Sequence, residues 1–130
     1  MSKQSNFSIR VYYADTDAGG VVYHSNYLDF CEKARTEFLR ERNVVQSIML
    51  ESSGGFVVKS AEMDFKKPAK LDDLLNVKTQ IVENNGLVLK MLQEIYCTDH
   101  ILFFMKISLV FLNREHKLVR IPKEVMEILK

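Results

Sequence analysis

Apolar and polar residues alternate from position 7 to 13, with Phe7, Ile9, Val11 and Tyr13 on one side and Ser8, Arg10 and Tyr12 on the other. A period of two predicts a first strand. From about residue 24 to 42 the period changes. Tyr27, Phe30/Cys31, Ala34 and Phe38 recur at three- and four-residue steps, and Asp29, Glu32, Lys33, Thr36 and Arg40 fall on other faces, which predicts an amphipathic helix of about five turns. Ser25 or Asn26 is placed to cap it. Gly54-Gly55 then interrupts the chain, and the remainder reads mostly as strand. Ala61, Met63 and Phe65 alternate with Ser60, Glu62, Asp64 and Lys66 until Pro68 ends the run. Leu75, Val77, Thr79 and Ile81 form the next apolar face, and Asn85-Gly86 predicts a type I′ hairpin into Leu87, Leu89, Met91 and Ile95. Thr98-Asp99-His100 marks a second turn. The strand after it is apolar on both faces, with Ile101, Phe103, Met105, Ile107, Leu109 and Phe111 on one side and Leu102, Phe104, Val110 and Leu112 on the other, so it belongs in the middle of a sheet or at an oligomer contact. A short terminal helix is expected over 122–129, opening at Pro122.

The pattern predicts an α+β fold: one strand, one long helix, then four long antiparallel strands. A single helix covers only one face of a sheet of about five strands, so the other face or the edges need partners, which argues for a homo-oligomer.

With 130 residues, no linker and no repeat, the chain is read as one domain over 1–130. Eighteen Lys+Arg against seventeen Asp+Glu leave no global attraction to nucleic acid or to an anionic membrane. No apolar run approaches the roughly 20 residues that span a bilayer. The polar start, Met1-Ser2-Lys3-Gln4-Ser5-Asn6, lacks the apolar stretch of a signal peptide. Cys31 and Cys97 form no CxxC or Cys/His metal spacing and are read as reduced, core-type residues of a cytoplasmic protein. His24, His100 and His116 are too dispersed to suggest zinc, and no metal is expected.

The chemistry concentrates where the first strand runs into Tyr12-Tyr13-Ala14-Asp15-Thr16-Asp17-Ala18-Gly19-Gly20-Val21-Val22-Tyr23-His24-Ser25-Asn26-Tyr27. Two carboxylates, then two glycines, then a helix start make a place to act on a carbonyl. The carboxylate supplies a base or nucleophile, and unpaired backbone N–H groups stabilise a developing oxyanion. The plainer alternative is a turn and a helix cap. An EF-hand loop beginning at Asp15 fails, because Gly19 stands at its fifth position and Asn26 where a bidentate Glu belongs. A haloacid-dehalogenase-type phosphatase needs a parallel α/β domain, against the antiparallel pattern here.

The run Tyr13-x-Asp15-Thr16-Asp17-Ala18-x-Gly20-Val21-Val22-Tyr23-His24-x-x-Tyr27, followed by Phe30-x-Glu32-x-Ala34-Arg35-Thr36-Glu37-x-Leu39-Arg40, resembles the hotdog-fold acyl-CoA thioesterases, in particular the 4-hydroxybenzoyl-CoA thioesterase and YbgC-like group. A second stretch, Val57-Val58-Lys59-Ser60 through Pro68-Ala69-x-Leu71-Asp72-Asp73, lies at the matching distance, and the resemblance extends over at least residues 9–112. It implies a long central helix wrapped by the antiparallel sheet. It also implies hydrolysis of an acyl thioester to free acid and CoA, on short to medium acyl chains and with no cofactor beyond the CoA of the substrate. Asp17 is then catalytic, as nucleophile or as base for a water, and the His24 amide at the helix start is the oxyanion donor. The His24 imidazole polarises the carbonyl, orients the substrate, or merely shapes the pocket or pairs with Asp17. Gly20 lets the chain turn and the thioester approach. Tyr23 and Tyr27 line the acyl pocket or pack in the core. Ser60, on a strand that faces a neighbouring subunit's Asp loop in hotdog dimers, holds the attacking water or is an ordinary sheet hydroxyl. Lys66, Lys67, Lys70, Arg114 and Lys117 are the basic residues available for CoA phosphates.

Asp15 is expected to bond turn amides, and Glu32 and Arg35 to pair on a solvated helix face. The resemblance leaves open acyl carrier protein instead of CoA, a non-catalytic acyl-binding scaffold linked to phospholipid metabolism, and a dimer or a tetramer of hotdog dimers. A hotdog dehydratase is disfavoured, since neither His-x-x-x-Pro nor Gly-Asp-x-Asn-Pro-x-His occurs.

Overall fold

The computed structural model describes residues 3–129; Met1 and Ser2, part of the polar N-terminal stretch, and Lys130 lie outside the described residues. The elements are β1 (Gln4–Arg10), a 3₁₀ turn (Tyr13–Asp15), α1 (Asn26–Glu41), α2 (Gln46–Ser52), β2 (Gly54–Phe65), β3 (Leu74–Asn84), β4 (Leu89–Cys97), β5 (His100–Asn113), β6 (Leu118–Val119) and α3 (Lys123–Leu129). The sheet is antiparallel in the order β1-β3-β4-β5-β2, with β6 beside β5. This is the α+β architecture expected for a hotdog fold, with six strands among the described residues rather than about five.

The predicted apolar faces meet in one core. Tyr27, Phe30, Cys31, Ala34 and Phe38 of α1 pack on Leu75, Val77, Met91, Ile95, Phe103 and Met105 of the sheet. Three polar contacts pin the helix along its length. Near its start the Ala69 N–H donates to the Tyr27 hydroxyl at 2.9 Å. At its middle the Arg35 guanidinium donates to Gln93 Oε1 at 2.8 Å. At its end buried Arg42 donates to the Phe38 carbonyl and the Ser5 hydroxyl, with its guanidinium 3.6 Å from the Phe38 ring centroid. Such contacts fix one rotation and translation of a helix that apolar packing alone specifies less tightly.

Five expectations need correction. The first strand stops at Arg10, and Tyr13 is 80% exposed in the 3₁₀ turn, because the Asp15 carboxylate accepts the Tyr12 N–H and turns the chain. Neither Ser25 nor Asn26 caps α1: Ser25 occupies the N-cap without a side-chain bond, and the Asn26 amide donates to the Asp15 carbonyl instead. The Asn85-Gly86 turn is not type I′, since Asn85 lacks the required positive φ; the connection spans 85–88, closed by Asn85 Oδ1 accepting the Leu87 and Val88 N–H groups. Gly54-Gly55 opens β2, and the break before it is the short helix α2, which went unpredicted. Arg35 is not on a solvated face: it is 7% exposed and pairs with Glu32 from within the core.

Strand β2 pairs with β5 alone, so its other edge is open. Val57, Val58, Met63 and Phe65 along it are 39–51% exposed. A β-bulge between Val58 and Ser60 shifts the register against β5, so that Phe56 and Val58 before it and Ala61, Met63 and Phe65 after it all face α1.

Candidate active site

The loop between β1 and α1 folds back as a miniature hairpin. Thr16 and Val22 form an antiparallel bridge, the Asp17 N–H donates to the Val21 carbonyl at 2.9 Å, and the Gly20 N–H donates to the Asp17 carbonyl at 3.1 Å. Asp17 therefore opens a tight turn over Ala18 and Gly19 to Gly20. Gly20 sits at φ +78°, where an L side chain is strained, although a Cβ there meets no other atom within 4 Å. The Gly19 N–H donates to Asp17 Oδ1 at 2.8 Å, which fixes one carboxylate oxygen of an exposed side chain and leaves the other without a partner among the described residues.

Asp15 plays the structural part expected of it, with its carboxylate on the Tyr12 amide and its carbonyl accepting from both the Tyr23 N–H and the Asn26 side chain. These bonds tie the Asp17 turn to the first turn of α1. The segment after β2 clamps the far side: Val22 N–H donates to Ala69 O, Leu71 N–H donates to Gly20 O, and Val21 bridges Lys70.

His24 follows directly. Its N–H has no hydrogen-bond acceptor among the described residues. An orphan amide at the start of a helix of sixteen residues is a preorganised donor for an anion. The imidazole is exposed and lies against the half-exposed Tyr23 ring, with centroids 4.3 Å apart.

Tyr27 is buried, stacked on Phe103 and edge-on to Phe65. Burial pushes its hydroxyl above the ordinary phenol range, opposed by the Ala69 hydrogen bond. Ser60 is not brought to Asp17 within one chain. It pairs with Ser108 and lines a cavity of about 500 Å³ with Glu62, Lys90, Leu92 and Lys106, on the sheet face away from α1.

Lys66 and Lys67 both donate backbone N–H groups to Leu102 O, and Lys66 Nζ pairs with Asp64 at 3.0 Å. The Lys67 and Lys70 ammonium groups have no partner among the described residues. Arg114 and Lys117 lie beyond the opposite end of β5, about 35 Å along the strand from Leu102, so one chain does not bring both sets to one ligand.

Two adjoining cavities run along α1 on the sheet face that the helix covers. One, of about 440 Å³, is lined by Leu28 and Asp29 of the first helical turn and by Met63, Met105 and Ile107. The next, of about 240 Å³, is lined by Leu39, Phe56, Leu89, Met91 and Leu109. Glu32, Arg35 and Val58 border both. The sequence reading missed this groove; the available signal was Arg35 itself, four residues after Cys31 and within the apolar stripe.

The sequence model of the Thioesterase-like superfamily matches residues 11–129. The acyl-CoA thioesterase YbgC of Haemophilus influenzae is 46% identical over 123 residues, covering 92% of this chain and 90% of the relative. The crystal structure of a probable thioesterase from Bartonella henselae superposes with a TM-score of 0.88 at 38% identity, over 92% of this chain and 99% of that one. A 4-hydroxybenzoyl-CoA thioesterase crystallised with 4-hydroxybenzoyl-CoA superposes at TM-score 0.90 over 99% of this chain and 100% of that one, and at 16% identity this likeness speaks for the hotdog fold alone. The chain thus belongs to the thioesterase-like superfamily and, within it, to the YbgC-type acyl-CoA thioesterases, thioester hydrolases built on the hotdog fold.

Proposed function

We propose that this chain hydrolyses short- to medium-chain acyl-CoA thioesters to the free acid and CoA through Asp17, with the His24 N–H as oxyanion donor. The observation that carries this reading is the pairing of a half-satisfied Asp17 carboxylate with an unpartnered amide at the start of α1, both held by one hydrogen-bonded loop. Water at neutral pH is a weak nucleophile. The carboxylate either takes its proton as it attacks the thioester carbonyl or attacks the carbonyl itself, giving an acyl anhydride that water then opens. Negative charge on the tetrahedral oxygen falls to the His24 amide, assisted by the positive end of the α1 dipole. The thiolate of CoA leaves. Tyr23 and the His24 imidazole border the reacting carbonyl, Gly20 supplies the turn, and Lys66 and Lys67 face the CoA phosphates.

The proposed unit is a homodimer joined along the open β2 edge, which covers the exposed side chains there and brings Ser60 of each copy toward its neighbour. Two such dimers make a tetramer.

Thiol release from acetyl- to palmitoyl-CoA and benzoyl-CoA, with wild type and Asp17→Asn side by side, tests the assignment. The Asn variant keeps the acceptor for Gly19 and the fold while losing about 10²–10⁴ in kcat. Full activity in Asp17→Asn sinks the mechanism. Absence of release from every CoA ester, with release from an acyl carrier protein ester, moves the substrate to the carrier-bound form; binding with no release from either is the scaffold reading. A single turnover in ¹⁸O water tests the nucleophile role in one direction: label in the Asp17 carboxylate marks an anhydride opened by water at the Asp17 carbonyl.

A further inference from the structure

We propose that the Glu32–Arg35 ion pair closes the groove along α1 and sets the longest acyl chain this enzyme accepts. The inference rests on the thioesterase reading above. The first cavity begins at Leu28 and Asp29, in the same helical turn that follows the His24 amide, and its walls from Val58, Met63, Met105 and Ile107 are apolar. A chain entering there from a thioester at the helix start runs along α1 until it meets Arg35. Nine helical residues from Asn26 to Arg35 span about 13.5 Å. An extended chain of single bonds advances about 1.2 Å per bond, as a peptide's three bonds per ~3.5 Å imply, so about ten or eleven carbons fill this length.

Arg35 is no ordinary surface cation that moves aside. Its guanidinium donates to Gln93 Oε1 at 2.8 Å, and Gln93 is fully buried. The Gln93 amide nitrogen in turn donates to Cys31 O and Thr79 Oγ1, both at 2.9 Å. The other arm of the fork holds Glu32, whose carboxylate stands at the groove rim. The pair, its guanidinium buried and held and its carboxylate exposed, lies with Val58 on the border shared by the two cavities, and the second is also mostly apolar and has no other charged side chain among its lining residues. A longer chain gains the second cavity only by displacing a buried guanidinium from its partners, which is costly. A merely structural role for the network does not require it to stand between two apolar cavities.

The test is the chain-length profile of kcat/KM from butyryl- to palmitoyl-CoA. In the wild type each methylene is expected to raise kcat/KM about fourfold, the yield of burying one CH₂, up to about ten carbons, with no further rise or a fall beyond. The variant Arg35→Met/Gln93→Leu removes both buried partners together, and Glu32→Leu removes the rim carboxylate from an exposed position and so threatens the fold least. The ratio of kcat/KM for tetradecanoyl- over octanoyl-CoA is expected to rise at least tenfold in the double variant and several-fold in Glu32→Leu. Folded variants, checked by thermal melting, that hydrolyse acyl-CoA with the wild-type profile overturn this inference and leave the thioesterase reading intact. So does a wild type whose kcat/KM keeps rising to sixteen carbons. A wild type that cleaves no acyl thioester of any length overturns the thioesterase reading and this inference with it.

Discussion

Cys31 and Gly20 show how much a single residue's surroundings decide. Burial pushes the Cys31 thiol up to about 12, only partly opposed by the Arg35 charge. In the unfolded chain the thiol ionises near its ordinary value of about 8.5. The folded pKa is the higher one, so the associated stability is fully present below about pH 8.5 and is lost as pH rises toward 12, at no more than about 1.4 kcal/mol per pH unit. Thermal melting from pH 8 to 11 is expected to fall more steeply in wild type than in Cys31→Ala, and equal slopes would contradict the assignment. Gly20→Ala meets open space at φ +78° and is expected to lower stability by about 1–2 kcal/mol, read by urea unfolding. At this scale the sequence was informative about Asp15, because a carboxylate in a short turn after a strand has few backbone donors to choose from, and it accepts the Tyr12 N–H. It was silent about the partner of the Tyr27 hydroxyl, an amide forty-two residues away.

Among the elements, α1 and β2 wall the groove that begins at the first helical turn. Gly54→Ala sets a Cβ 2.0 Å from the Leu112 carbonyl oxygen at a φ of +133°, so it is expected to cost about 3 kcal/mol or more and to loosen β2 from β5, measurable as lost amide-exchange protection in both strands. The buried polar column in the α1 interface should behave as a unit. Gln93→Leu alone leaves one arm of the Arg35 guanidinium without its acceptor, the Glu32 pair remaining, and is expected to destabilise by about 1–3 kcal/mol, whereas pairing it with Arg35→Met recovers much of that loss. A double-mutant cycle with strictly additive energies would exclude the coupling. Helical and strand periods made α1, β3, β4 and β5 legible in advance. The extent of β2 was not, because its bulge at Lys59 inverts the alternation midway, and a period-two reading holds only on either side. The helix α2 escaped notice because seven residues supply too few turns for a stripe to show.

For the whole molecule, the open β2 edge is the dominant fact. Light scattering is expected to give at least twice the 15.1 kDa chain mass, and Val57→Lys/Val58→Lys to yield a folded monomer without activity. A fully active monomer would refute the shared site. The single helix set against a long sheet argues for a partner from the sequence alone, but which edge stays open depends on strand order, and local periodicity carries no information about order.

The open edge has a further consequence for the company this chain keeps. Main-chain donors and acceptors are the same in every polypeptide, so in the proposed dimer a ladder between two β2 strands would not by itself distinguish this chain from a related hotdog protein made in the same cell. Discrimination must come from the side chains that flank the ladder, above all Val57, Val58, Met63 and Phe65, together with the bulge at Lys59, which dictates where two strands come into phase. In that dimer those few positions would carry self-recognition, and a sister chain that diverges there would stay separate with its Asp17 loop unchanged.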